Sequence, residues 1–181
     1  DPTNDVAGYD AARKLAILAS IGFHANVTFD DVLVEGIEKI SQNDVQYASE
    51  MGYTIKLLAL ALRQENGIAL NVYPAFVPRS HPLASVKGSY NAIYVTGNIV
   101  DDVMFYGRGA GSLPTASAVM GDVISTAKHI MNHSTGTGMM LTETKRIPFY
   151  SSLKLENSYY FRLIVDDVTG VLSQIASAYA D

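Results

Sequence analysis

IKLLALALRQENGIALNVYPAFV at 55–77 and AIYVTGNIVDDVMFY at 92–106 set the architecture expected of this chain. Within them, residues 55–62, 68–77, 92–100 and 103–106 are apolar or alternating runs, bounded by Asn66-Gly67, Pro78 and Asp101-Asp102. Such runs read as strands. The spacer 98–102 is short enough for an antiparallel hairpin, and helical patterns lie before and after the strand cluster rather than between successive strands. The expectation is therefore α+β, with a mixed, largely antiparallel sheet covered by helices, and not a doubly wound sheet.

Upstream, Ala11, Leu15, Leu18 and Ala19 keep helical spacing from about residue 10 to 21, and Gly22 reads as the stop. Ser41-Gln42-Asn43-Asp44 has the form of a capping box, predicting a helix over 42–51 closed by Gly52. Downstream, Val119, Met120, Val123, Ile124, Ala127, Ile130 and Met131 repeat at three and four, giving the longest amphipathic helix, with Pro114 in its first turn. Residues 134–157 lose this period and open on Ser-Thr-Gly-Thr-Gly, so a linker is expected there. After it, 159–165 alternates like a strand, 166–170 turns, and Val171, Leu172, Ile175 and Ala176 begin another helix.

The chain has 181 residues, 48% hydrophobic and 17% charged, which is a globular balance and excludes disorder for most of it. A formal charge of -5 without blocks of like charge gives no reason to expect nucleic acid or anionic lipid as a partner. Cysteine is absent, which removes disulfides and thiol chemistry and fits a reducing cytoplasm. No run approaches the roughly 18 apolar residues of a membrane helix. The Asp1 start and the Ala180-Asp181 end, in mid-helix by pattern, suggest a piece of a longer chain.

Asp10 and Lys14 stand four apart on the first helix, so a cation and a carboxylate emerge on one face and form a workable proton-transfer pair. An ordinary helix ion pair explains the spacing equally. Asp5, just upstream, is an acidic neighbour or a capping residue. Gly107, Gly109 and Gly111 lie between a strand and a helix, where a ligand could approach the backbone closely; a flexible turn is the plain alternative. The spacing G-x-G-x-G is not the dinucleotide fingerprint. His129 and His133 are also four apart but have no third ligand in the pattern, and no metal site is expected.

DPTNDVAGYDAARKLAILA at 1–19, VEGIEKIS at 34–41, HPLASVKGSYNAIYVTG at 81–97 and YGRGAGSLPTASAV at 106–119 together resemble homoserine dehydrogenase, over about 1–131. The resemblance implies NAD- or NADP-dependent interconversion of L-aspartate 4-semialdehyde and L-homoserine, on the route to threonine, methionine and isoleucine. It implies Lys14 as the catalytic lysine, Asp10 and Asp5 as substrate-binding residues, and Gly107, Gly109 and Gly111 as contacts near the nicotinamide end of the cofactor. It also implies a nucleotide-binding Rossmann domain upstream, absent from this chain, so the chain alone is expected to be inactive. Tyr73 stands where relatives often have histidine.

Residues 159–181 resemble the opening strand and helix of an ACT regulatory domain, DDVTGVLSQIA being similar to its D-x-P-G-V-L pattern with Thr169 in place of proline. On this reading 1–133 is the catalytic and dimerisation domain, 134–157 the linker, and 158–181 a truncated βα piece of a ferredoxin-like ACT domain. A strand and helix cannot close a four-stranded sheet, so the piece is disordered, packed on the main domain or borrowed by a partner. Threonine is the first candidate effector of the complete protein, and a homodimer is expected. The competing reading is a non-catalytic amino-acid-binding or dimerisation module. A Lys14 set in a cleft facing the glycine loop would favour the enzyme, and a Lys14 splayed into solvent the module.

Overall fold

The computed structural model describes residues 1–65, 67–134, 147–149 and 157–180. Its first unit begins with a one-turn helix, α1 (Thr3–Val6), and a long helix, α2 (Tyr9–Phe23), joined at Gly8, whose φ of 81° suits glycine. A two-residue strand β1 (Leu33–Val34), helix α3 (Gln42–Glu50) and two long strands, β2 (Tyr53–Gln64) and β3 (Gly67–Pro78), follow. The sheet order is β1-β3-β2, with β1 parallel to β3 and β2 antiparallel to it. The sheet is mixed as expected. The short parallel strand carries no periodicity that a sequence reading could detect.

One face of this sheet builds the core. Ile68, Leu70 and Val72 of β3 are buried against Ala12, Leu15, Ala16 and Ala19 of α2, with Leu57 and Ala61 of β2 at the margin. Three alanines on the contact face let the helix approach the strands closely, so packing rather than side-chain bulk fills the space. The buried stripe is rotated from the predicted one: Ala12 and Ala16 are inside, and Leu18 is exposed. Nor does α2 stop at Gly22. It runs on through Phe23, which packs on the core, and His24 closes it in the left-handed region at φ 52°.

Helix α3 follows its predicted form. Ser41 donates its backbone N–H (2.8 Å) and its hydroxyl (2.6 Å) to Asp44, while the Asp44 N–H donates to Ser41 Oγ at 3.3 Å. Gly52, at φ 85°, ends the turn.

The second sheet is the predicted hairpin, β4 (Tyr90–Gly97) with β5 (Asp101–Arg108), in register from Tyr90 opposite Arg108 to Gly97 opposite Asp101. Here β4 ends earlier than its apolar run, because Ile99 and Val100 form the exposed tip of the turn. Helix α4 (Ser112–Met131) is the longest, and none of its residues is buried. The single helix-covered sheet of the expectation is thus two sheets, with α2 and α3 packed on the larger one and α4 covering neither.

Most of the expected linker, 134–157, lies outside the described residues, as does Asn66 of the β2–β3 turn. Its described part is docked: the Ile68 N–H donates to Pro148 O at 3.0 Å, and Ile147 packs on the core. Residues 157–168 have no strand pairing, so the strand expected at 159–165 is absent from the described structure. Alternation alone does not make a strand without a neighbour to complete the ladder. The helix predicted after it is present as α5 (Val171–Ala178). None of the described helices is long and apolar enough to cross a membrane.

Candidate functional site

Gly8 and Gly36 place the acidic and basic candidates. The Ile37 N–H donates to Val6 O at 2.9 Å, and a Cβ on Gly36 would run into Ala7 and Val6. A side chain there would push α1 away, so the glycine of VEGIEKIS holds the end of α1 against the loop after β1. Gly8 then turns the chain directly into α2, which carries Asp10 and Lys14, with Asp5 on α1 just before the turn.

Lys14 Nζ lies 2.6 Å from Asp10 Oδ2, with side chains 62% and 43% exposed. A pair this exposed adds only about 0.3–0.5 kcal/mol to the helix. Folding therefore does not depend on it. Chemically it is a proton donor held beside an acceptor on an open surface. Beside it, Arg13 reaches Asn4 Oδ1 at 3.5 Å and lies 5.4 Å over the Phe29 ring, which also meets Tyr9 edge to face. Neither Arg13 nor Phe29 was singled out from sequence, because their juxtaposition depends on the loop after α2.

The three loop glycines differ in what they need. A Cβ on Gly109 would collide with the carboxamide of Asn91, and the Gly109 N–H donates to Ser89 O at 3.1 Å, so Gly109 is required by packing. Gly111 caps α4 at φ 123°, a backbone conformation that favours glycine. Gly107 has neither reason: a Cβ there would meet nothing within 4 Å. Its open face leaves room for a ligand against the strand. Next to it Arg108 donates to Ser89 Oγ at 3.0 Å and stacks 4.8 Å over Tyr90, whose ring lies parallel to Tyr106 at 4.8 Å.

The structure pairs Asp10 with Lys14 and leaves Asp5 on the preceding helix α1, and it does not set the glycine loop against the pair, since α2 packs on β2 and β3 while the hairpin packs chiefly within itself. Lys14 faces solvent and not a cleft. A cavity of about 690 Å³, lined by Arg63, Gln64, Glu65 and Asn98, holds none of the candidates. His129 and His133 stand near the end of α4, and the described residues hold no cluster of three or more metal-ligating side chains. Tyr73, on β3, is half-buried, and burial pushes its hydroxyl above the usual range, with Tyr159 adding to the shift.

The sequence missed a second cluster. Asp44 also accepts from Arg162, Nε to Oδ1 at 2.6 Å and Nη2 to Oδ2 at 3.3 Å, and from the Tyr160 hydroxyl at 3.0 Å. Hydrogen bonds from the Ser41 hydroxyl, then from Arg162, hold its carboxyl well below the usual carboxylate range, against the opposing effect of burial.

The model of the homoserine dehydrogenase family matches residues 1–124. The homoserine dehydrogenase of Corynebacterium glutamicum is 44% identical over 186 residues, covering 100% of this chain and 41% of its own length. That of Mycobacterium bovis is 46% identical, covering 99% and 42%. The crystal structure of a homoserine dehydrogenase from Thiobacillus denitrificans superposes with a TM-score of 0.78 at 40% identity, covering 83% of this chain and 36% of that one. A hyperthermophilic archaeal homoserine dehydrogenase in complex with NADPH superposes at 0.53 and 27% identity. The chain therefore spans well under half the length of these relatives, and over that span it belongs to the homoserine dehydrogenase family.

Proposed function

We infer that the complete protein interconverts L-aspartate 4-semialdehyde and L-homoserine with NAD or NADP, and that Lys14 moves the proton. What carries this reading over the binding module, which the solvent-facing Lys14 taken alone favours, is the family match over residues 1–124, inside which Lys14 and Asp10 stand 2.6 Å apart on α2. When bound, the reduced cofactor supplies hydride to the aldehyde carbon. Lys14 gives a proton to the aldehyde oxygen as charge develops there, and its positive charge stabilises that oxygen. In reverse its neutral amine takes the hydroxyl proton of homoserine. Asp10 fixes the direction of Nζ, and Asp10 with Asp5 offers acceptors to the substrate's ammonium group.

Among the loop glycines the open face of Gly107 is the best fit for the cofactor's reactive end, whereas Gly109 and Gly111 are accounted for by packing and by φ. The chain has no G-x-G-x-x-G phosphate loop, so the rest of the dinucleotide requires residues outside it. The site is complete only when a nucleotide-binding unit brings the cofactor to α2.

Two further readings accompany this one. A second copy of the chain covers α4, whose Val119, Met120, Val123, Ile124, Ile130 and Met131 are all exposed. Residues 158–181 open an ACT-like unit that answers to an amino acid, threonine first, in a reducing cytoplasm. The test of the main reading is L-homoserine-dependent reduction of NAD and NADP by the complete protein. Turnover with neither cofactor would overturn it in favour of a binding module.

A further inference from the structure

The segment after residue 157 is gripped from two sides. Tyr160 and Arg162, two residues apart, both reach Asp44, and the Tyr160 ring stacks on Phe76 of β3 at 4.6 Å. Phe161, between them, turns to the C-terminal end of α5, with its ring 5.1 Å from that of Tyr179, the residue that closes the helix. This alternation is what extended backbone produces, since successive side chains leave it on opposite sides. One set of residues holds the main unit and the other holds α5.

Asp44 is the junction. Its Oδ2 takes the Ser41 N–H and hydroxyl that cap α3 together with Arg162 Nη2, and its Oδ1 takes Arg162 Nε and the Tyr160 hydroxyl. The residue is 4% exposed, so water cannot replace a lost partner freely, and any shift of Arg162 must be answered by the α3 cap. The cap and the strap share one carboxylate.

We propose that residues 159–162 form a coupling strap through which the position of α5 sets the order of the first turn of α3. Helix α3 in turn packs on β2, the strand on which α2 also rests. The device is independent of the dehydrogenase reading, because it concerns only contacts within this chain.

Amide hydrogen exchange of the 181-residue chain tests it. Tyr179 is exposed, and its ring contact is with Phe161, so Tyr179→Ala is expected to preserve the fold. The expected result is faster exchange at the Asp44 and Val45 amides by about threefold or more, as for residues coupled in one network, with the β4–β5 hairpin unchanged. In an Arg162→Lys background, which keeps the charge but removes the two-point grip, Tyr179→Ala adds nothing at α3. Arg162→Gln, which also removes the two-point grip, serves the same purpose should Arg162→Lys disturb folding. Exchange at α3 that is unaltered by Tyr179→Ala, or altered equally in the Arg162→Lys background, overturns the proposal.

Discussion

Arg162 and Asp44, 118 positions apart in the chain, meet in a two-point contact, Nε to Oδ1 at 2.6 Å and Nη2 to Oδ2 at 3.3 Å. With the Ser41 hydroxyl, the larger influence, the contact fixes a sign for the pH dependence of stability. Asp44 has its carboxyl depressed below the ordinary value of 3.8, so the folded state binds its proton less readily than the unfolded chain does. Its contribution is complete above that value and is lost as pH falls below it toward the folded pKa. Urea titrations between pH 6 and about pH 2.5 are expected to show wild type losing stability toward Asp44→Asn as the acid limit is approached. A gap between the two that stays constant with pH would contradict the role given to this carboxylate.

Ile68 has no exposed surface and sits at the centre of the core beneath α2. Ile68→Ala is expected to cost about 2–5 kcal/mol and Ile68→Val about 0.5–1.5 kcal/mol, read as shifts in denaturation midpoint. Equal costs would mean that the site collapses around either side chain.

Gly109 and Asn91 form a packing pair, and their substitutions are coupled. Gly109→Ala drives its methyl into the Asn91 carboxamide and is expected to destabilise the hairpin, while Asn91→Ala opens the space and rescues it. Gly107→Ala meets no neighbour and is expected to leave thermal stability unchanged while raising the KM for the dinucleotide in the complete protein. A destabilised Gly107→Ala would assign that glycine to folding instead of ligand approach.

Val123 lies midway along the uncovered face of α4. If a second copy covers that face, Val123→Asp shifts the chain toward monomer in light scattering, because a charge buried in an apolar interface has no partner. A mass independent of both concentration and this substitution would remove the dimer from the account.

What could be read from the sequence was local. Ser41 and Asp44 are three residues apart, and Asp10 and Lys14 four, so each pair is brought together by one turn of helix whatever the rest of the chain does. The hairpin, with its short turn, was legible for the same reason. Contacts that depend on tertiary placement were not: Arg162 on Asp44, Asn91 beneath Gly109, and the two-residue β1 beside β3 leave no trace in spacing. The period of α4 marks its apolar face correctly and says nothing of what covers it. The alternation at 159–165 predicts a strand, but in the described structure Tyr160 and Arg162 face one side to grip α3 rather than to line a sheet.

The central claim is that Lys14 moves the proton with Asp10 directing it, and chemical rescue tests it most directly. In the complete protein Lys14→Ala is expected to lower L-homoserine turnover by about 10²–10⁴-fold, with added small primary amines restoring part of it in proportion to their basicity. Turnover of Lys14→Ala within a few-fold of wild type would contradict the account, and the exposed pair on α2 would then be an ordinary helix salt bridge.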